Sequence, residues 1–548
     1  MRALAKVDRW PGASSNIDFL RPPPFPGSRF HGFEMLDGPR AAAVPIGRCV
    51  QALRQKRVGG SFWASQPALP KDYVLARSEA AAVAAGEIAQ DAGVVTWLPG
   101  RGDDGPLLIR GECDPWHMLS GASALFCDAG DELRLVATLL GVPVHVARGD
   151  GRHAPIPQGV DALLEEHCPA GAMFANPFGG APLDVLAVID LCGHWRALID
   201  SNRPIVAGVG FASWKQESVL PLLWGGQDAT SFFRSSIKAP AGAVAVWRTR
   251  TAPETLAQLE KAGVDLIEVE DGFLRSNGLG ADCVAPLSIT VDRLGAYFDP
   301  AQPSELELIL QNADFDGATL ARARRLRETI VAAGLGKYER GEARLERFHS
   351  SRKHILVPGQ VEDDRSILTG GGGLESNLEL LRRVRAREPD AYIIYKPHPD
   401  VVAGHRKGDV PDDLSRTVAD RVETSAPIAS LIAMVDAVHV NTSLAGFEAL
   451  MRHKQVTTHG VPFYAGWGLT EDLGTVPARR SRQRSLDELV AATLLLYPRY
   501  YDPVSRLPCP AEVVVERLTA NDRPSGGLLV AVRRIQGRLK RSVQRLSK

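Results

Sequence analysis

An α/β architecture, with two Rossmann-like halves facing one another across a crevice, is what the order of segments in this sequence predicts. Three observations carry the prediction. From residue 205 onward, short β-branched runs alternate with amphipathic stretches of helical period, the pattern of parallel sheets covered by helices. The motifs richest in chemistry each follow directly on one of the apolar runs, at the carboxyl ends of strands where open α/β sheets bind ligands. A stretch near the front of the chain also repeats one near its end, since Asp114 through Val146 aligns without a gap to Ala426 through Thr458.

Taken in order, residues 1–199 read as a degenerate partial module resembling the back half of a complete one that follows. Both aligned stretches hold a helical segment, a short apolar strand, a turn, an amphipathic helix and a second β-branched strand. A second echo, Phe174-Ala-Asn-Pro against Tyr500-Tyr-Asp-Pro, follows in the same order. Asp200-Ser-Asn-Arg-Pro is a turn-rich junction. Residues 200–345 then form the first half, with strands at Ile205, Ala243–Trp247 and Asp265–Val269 and helices over 253–262, 304–311 and 318–333. Residues 346–520 form the second half, with strands at His354, Tyr392–Tyr395 and Ala437–Val440 and a helix from Leu374 to Arg387. Between them Gly370 to Gly373 lacks the Lys-Ser/Thr ending of a nucleotide triphosphate loop and reads as a flexible connection. Residues 521–548 form a basic tail; its last eighteen positions hold seven Lys or Arg and no acid. As a helix this tail would align Val532, Ile535, Leu539, Val543 and Leu546 on one face, suiting an anionic lipid surface, with a disordered basic tail as the alternative.

Composition excludes several classes. The 548 residues carry 64 Lys+Arg against 64 Asp+Glu, so no basic excess points to nucleic acid, and 45% hydrophobic content supplies real cores. Seven scattered cysteines without CxxC pairs read as reduced core residues of a cytosolic protein, and no metal-ligand spacing is present. The first twenty residues never give the apolar run of an export signal, and no stretch approaches the roughly 20 apolar residues of a membrane span. A cytosolic setting, with any membrane contact peripheral, is therefore expected.

The candidate chemistry lies in three motifs. Glu270-Asp271-Gly272-Phe-Leu-Arg275-Ser-Asn-Gly278-Leu-Gly280 sets an acid pair at a strand's end, with glycines that permit close backbone approach and an arginine suited to a carboxylate or phosphate. Lys396-Pro397-His398-Pro399 holds an imidazole between prolines that restrict its direction, beside a lysine. Asn441-Thr442-Ser443, followed by Glu448, precedes a helix and fits either plain N-capping or an anion cradle; the earlier repeat has Ala129-Gly130-Asp131 and Val136 at these positions. Two further loops, one around Gln360 through Ser366 and one from Tyr464 to Thr470, suit nucleotide or sugar contacts on one reading and solvent exposure or packing on the other.

These motifs, with Pro286-Leu-Ser, Tyr297-Phe-Asp-Pro and Val357-Pro-Gly-Gln-Val-Glu-Asp-Asp between them, resemble the capsule polysaccharide KpsC/KpsS (LipA/LipB) family over about residues 205 to 515. The resemblance implies a GT-B-like pair of domains and a retaining β-Kdo transferase that uses CMP-Kdo as donor substrate, with no separate cofactor. The acceptor implied is a phosphatidylglycerol-Kdo glycolipid at the inner membrane, with capsule assembly and export proteins as partners. It further implies Asp271 as nucleophile, Glu270 tuning it, and His398 with Lys396 stabilising the departing CMP phosphate. Gln360, Asn441, Thr442, Ser443, Glu448, Gly278 and Gly280 complete the expected donor site, with Arg275 for the Kdo carboxylate. An inverting, sialyl-type CMP-sugar transferase and a non-catalytic export scaffold are the competing readings.

Overall fold

A computed structural model describes residues 13–16, 19–36, 44–88, 92–100, 105, 107–148, 152–156, 159–169, 171–226, 228–229, 231–235, 237, 240–274, 285–335, 345–348, 351–404 and 406–520. Arg275, Gly278, Gly280, Cys283 and the 521–548 tail lie outside them. Two compact units are formed, the first drawn chiefly from residues up to Ile205 and the second from most of the remainder.

The first unit contains strands β1 (Ala13–Asn16), β2 (Glu34–Leu36), β3 (Tyr73–Ala76), β4 (Gly93–Leu98), β5 (Leu108–Arg110), β6 (Ala122–Cys127), β7 (Val144–Ala147), β8 (His153–Pro155), β9 (Met173–Phe174) and β10 (Leu183–Asp184). Six of these make a sheet in the order β5-β4-β3-β6-β7-β8, and the other four a small sheet, β1-β2-β9-β10. The central strand β3 is buried throughout, as parallel strands covered on both faces must be. The alanine-rich helix Glu79–Ile88 packs on Val74, Ala76 and Phe126, its small side chains allowing close approach. Helix Val185–Asn202 starts where the Asp184 side chain accepts from Ala187 N–H. It is anchored by Arg196 donating to the fully buried Asp114 at 2.6 Å. The six described cysteines are free and buried.

The second unit holds two sheets. Strands β11 (Ile205–Val209), β12 (Phe233–Arg234), β13 (Ala243–Val246), β14 (Leu266–Asp271) and β15 (Ser288–Asp292) begin the first. The second is built from β16 (His354–Pro358), β17 (Tyr392–Lys396), β18 (Arg421–Val422), β19 (Ala437–Val440), β20 (Gln455–Thr458) and β21 (Glu471–Asp472). The chain then returns: β22 (Arg499–Asp502) and β23 (Leu507–Cys509) close the first sheet, whose order is β12-β11-β13-β14-β15-β22-β23. Both strands come from within residues 346–520, so that range completes the sheet begun by residues 200–345. β15 runs antiparallel to β14, and its other edge is paired by Arg499-Tyr-Tyr-Asp, with Ser288 opposite Tyr500.

The second sheet has the order β18-β17-β16-β19-β20-β21 and is parallel throughout. Its first strand in sequence lies centrally, so the chain departs to opposite sides from β16 and leaves a crevice beyond the ends of β16 and β19. The six-stranded sheet of the first unit has the same order, differing in that β8 runs antiparallel to β7. The helix expected from Leu374 begins at Asn377, because the Ser376 side chain caps it by accepting from Glu379 N–H. Gly370 to Gly373 is also corrected. Rather than a flexible connection it is a tight turn: Gly370 and Gly371 are buried and Gly372 and Gly373 adopt positive φ. A Cβ on Gly370 would stand 3.1 Å from Thr442 Cγ2.

Candidate active site

The acids of β14 are sorted by the strand itself. Side chains alternate along a strand, so Glu268 and Glu270 share one face and Asp271 takes the other. On the first face Arg365, which opens the helix Arg365–Gly370 of the second sheet, donates from Nη1 to Glu268 and reaches Glu270 Oε1 at 3.5 Å. Arg248 holds the other oxygen of Glu268 at 3.3 Å. On the second face Lys215 Nζ donates to Asp271 Oδ1 at 2.8 Å and stands 3.4 Å from the centroid of the Trp247 ring, so a buried ammonium supplies the counter-charge to the carboxylate. Glu270 differs sharply. Burial foremost, then the neighbouring Asp271, pushes its carboxyl up to about 8 despite the opposing pull of Arg365.

Around the second sheet, Gln360 follows β16 and spans to the loop after β19. Its Nε2 donates to Thr442 Oγ1 at 3.0 Å and its Oε1 accepts from Thr442 N–H at 2.9 Å. Asn377 clamps the Gln360 backbone from both sides. Ser443 is the N-cap of helix Leu444–Met451, its hydroxyl oxygen accepting from Ala445 N–H at 3.2 Å. Asn441 donates to the Leu374 carbonyl and is buried, a brace for the glycine turn. Glu448, one turn into the helix, is buried and lines an apolar cavity of about 400 Å³, solvent-open part included, together with Phe273, Leu274, Phe447 and Met451.

Beyond β17, Lys396 is buried and donates to the Thr424 carbonyl at 2.9 Å. His398 caps the helix Pro399–Val402 by accepting at Nδ1 from Asp400 N–H at 3.2 Å. With Nδ1 an acceptor, a neutral ring carries its proton on Nε2, which becomes a donor suited to an anion. The Tyr464–Thr470 loop packs rather than exposing a platform, since Tyr464 and Trp467 are fully buried and Trp467 Nε1 donates to the Phe463 carbonyl.

The family model for capsule polysaccharide biosynthesis proteins matches residues 242–500. The capsule polysaccharide modification protein LipA of Neisseria meningitidis serogroup A is 36% identical over 437 residues, covering 75% of this chain and 62% of LipA. The lipopolysaccharide-processing protein LpsZ of Rhizobium meliloti is 48% identical over 245 residues, covering 44% of this chain and 55% of LpsZ. Among solved structures, one described as Thermosulfurimonas dismutans KpsC, beta Kdo 2,4 transferase, is 30% identical with a TM-score of 0.51, covering 57% of this chain and 98% of that one. The chain belongs to the KpsC/LipA capsule polysaccharide biosynthesis family. It spans about 62% of the length of the LipA proteins it matches.

Within this capsule family member, sequence reasoning located the two acids, Gln360 and the Asn441–Ser443 turn, but missed Lys215, Glu268 and Arg365. A signal for Lys215 was present: Ser213-Trp-Lys follows β11 just as Glu270-Asp271 ends β14, at the same edge of one sheet. Arg365 stood inside a motif already singled out, where it was overshadowed by the three acids before it. Of those acids, Glu362 accepts from Asn377 N–H, Asp363 pairs with Arg406 and Asp364 caps a helix.

Proposed function

We propose that this chain is a glycosyltransferase of capsule polysaccharide synthesis, transferring Kdo from CMP-Kdo to a lipid-linked acceptor of the phosphatidylglycerol-Kdo type with retention of configuration. The observation that carries the reading is the division of labour at the end of β14: an ion-paired Asp271 beside a Glu270 whose carboxyl titrates near 8. Asp271 attacks the anomeric carbon as the bond to the CMP phosphate breaks, giving a glycosyl ester. The acceptor oxygen then displaces Asp271, and two displacements restore the original configuration. Glu270 takes the acceptor's hydroxyl proton once it has lost its own, which its carboxyl, pushed up to about 8, does as pH rises. His398 Nε2, the Thr442 and Ser443 hydroxyls and the backbone N–H groups that open helix Leu444–Met451 share the charge of the departing phosphate. Lys396 and Asn441 act through the backbone they brace, while Glu448 lies beside the crevice for the nucleotide's hydroxyls. CMP-Kdo is the donor substrate and no further cofactor enters the scheme.

Among the described residues no helix is long and apolar enough to cross a membrane. A lipid-linked acceptor would bring the protein peripherally to the inner membrane face, its basic tail attracted to anionic lipid. Incubation with CMP-Kdo and a synthetic lipid-linked Kdo acceptor, followed by mass spectrometry, should show products heavier by whole Kdo residues. Asp271→Ala should reduce transfer at least about a thousandfold; full transfer by that variant removes the nucleophile, and an inverted anomeric centre by NMR removes retention.

A further inference from the structure

Two of the acids along β14 share one guanidinium, and they share it unequally. Glu268 and Glu270 stand two positions apart on the same face of the strand, a spacing of about 7 Å over which a single arginine must favour one carboxylate or the other. Arg365 Nη1 donates to Glu268 Oε1 and stands 3.5 Å from Glu270 Oε1, the weaker of the two contacts. The second oxygen of Glu268 accepts from Arg248 Nε at 3.3 Å, and Arg248 is itself held by Glu260 at 3.6 Å. Glu268 is buried, so its carboxylate is fixed between two guanidinium groups.

That division decides what Glu270 can do. A carboxylate gripped by an arginine has its lone pairs occupied and its charge stabilised, which makes it a poor proton acceptor. Among the described residues, the charged groups acting on Glu270 are Asp271 and Glu268 on its own strand, Lys215 on helix Ser213–Leu223 and Arg365 on helix Arg365–Gly370. Lys215 is committed to Asp271 on the other face. Across the strand pair, Thr290 stands opposite Glu270, while Asp292, opposite Glu268, is taken up by the Tyr497 hydroxyl and the N–H groups of Leu294, Gly295 and Glu305. Arg365 is thus the cation whose position sets the state of Glu270, and Glu268 holds that cation. A Glu270 carboxyl pushed up to about 8 in spite of Arg365 accords with a guanidinium held elsewhere. We propose that Glu268 is a positioning residue, which draws Arg365 along β14 away from Glu270 and so leaves Glu270 able to take the acceptor's proton. The inference rests on the transferase reading given above for the identity of that proton, whereas the competition of two carboxylates for Arg365 does not depend on it.

The test follows the Glu270 carboxyl directly, by infrared difference spectra of each protein against the same protein carrying Glu270→Gln, titrated without substrate. In parallel it follows kcat for transfer from CMP-Kdo against pH. Removing the competitor in Glu268→Gln should let Arg365 close on Glu270 and lower the infrared midpoint by about one to two pH units, the rising limb of kcat moving with it. Glu268→Asp keeps a charge between the two arginines, so it folds where the glutamine variant fails to. Its carboxylate is drawn back by one methylene, and a smaller fall of about half a unit is expected. In an Arg365→Gln background, Glu268→Gln should shift the midpoint less than half as far as it does alone, because no guanidinium is left to divert. A midpoint unmoved in the folded Glu268 variants overturns the inference, as does a shift equally large with and without Arg365, which would reduce Glu268 to a neighbouring charge. A wild-type protein that transfers nothing from CMP-Kdo, while its infrared midpoint responds as described, overturns the transferase reading and leaves the hold of Glu268 on Arg365 established.

Discussion

Alternation along β14 means that Glu270 and Asp271, neighbours in the chain, meet different counter-charges, and each therefore supports its own prediction. Glu270 titrates near 8 when folded against about 4.5 when free, so the folded protein holds a proton there that the unfolded chain has lost. Its contribution to stability is thus full below about pH 4.5, declines as pH rises, and is gone above about 8. Glu270→Gln, a neutral isostere, should flatten that part of the profile and melt higher than wild type at pH 8, by an equivalent of about 1–3 kcal/mol. In kinetics the variant should lose the limb of the kcat profile centred near pH 8; persistence of that limb would assign it to another group. Lys215→Met should leave Asp271 without its counter-charge and lower kcat about a hundredfold with little change in CMP affinity. The acids were legible because they end an apolar run. Lys215 and Arg365 were not, because their partners lie 56 and 97 residues away in the chain and only the fold reveals which cation meets which acid.

At the scale of elements, the strands expected from Ile205, Ala243, Asp265, His354, Tyr392 and Ala437 are all present, and Ala437–Val440 matches its expected bounds, whereas β12, β15, β18, β21, β22 and β23 were not foreseen. The glycine turn did not. Sequence shows four glycines, but whether they are loose or crowded depends on what packs against them. Here the crowding reaches the Asn441–Ser443 loop: a Cβ on Gly460 would lie 2.3 Å from Asn441 Oδ1 and 2.5 Å from the Gly370 carbonyl. Gly460→Ala must therefore push aside the Asn441 side chain and the Gly370 carbonyl, and it presses on the Thr442 side chain that bonds Gln360. A loss of about 1–3 kcal/mol in stability together with weaker CMP binding is expected, measured by denaturant melts and titration; an unchanged CMP affinity would show that Thr442 does not touch the donor.

For the molecule as a whole, the shared order of the two six-stranded sheets supports reading the first unit as a worn copy of the half built on β16 to β21. Aligning their strand registers sets Leu98-Pro99-Gly100 opposite Lys396-Pro397-His398. In the place of an anion site, Arg77 is spent internally: it pairs with Asp131 at 3.0 Å, donates to the Trp97 carbonyl and lies 4.2 Å over the Trp97 ring. One CMP per chain is therefore expected by titration, unaffected by Arg77→Ala; two equivalent sites would restore function to the first unit. The repeat was readable from the aligned apolar residues. The absence of the Lys and His shows in sequence, while the pairing of Arg77 with Asp131 does not.

The return of β22 to the edge of β15 also bears on how the protein is made. A chain emerging from the ribosome can assemble β11 to β15 early, but the strand that covers their outer edge is synthesised some two hundred residues later. Until then β15 offers unpaired backbone groups to any other extended segment, including those of neighbouring nascent chains. Translation arrested or cut short before Arg499 should consequently yield insoluble product, and supplying the missing strand in trans as a peptide should rescue it in part.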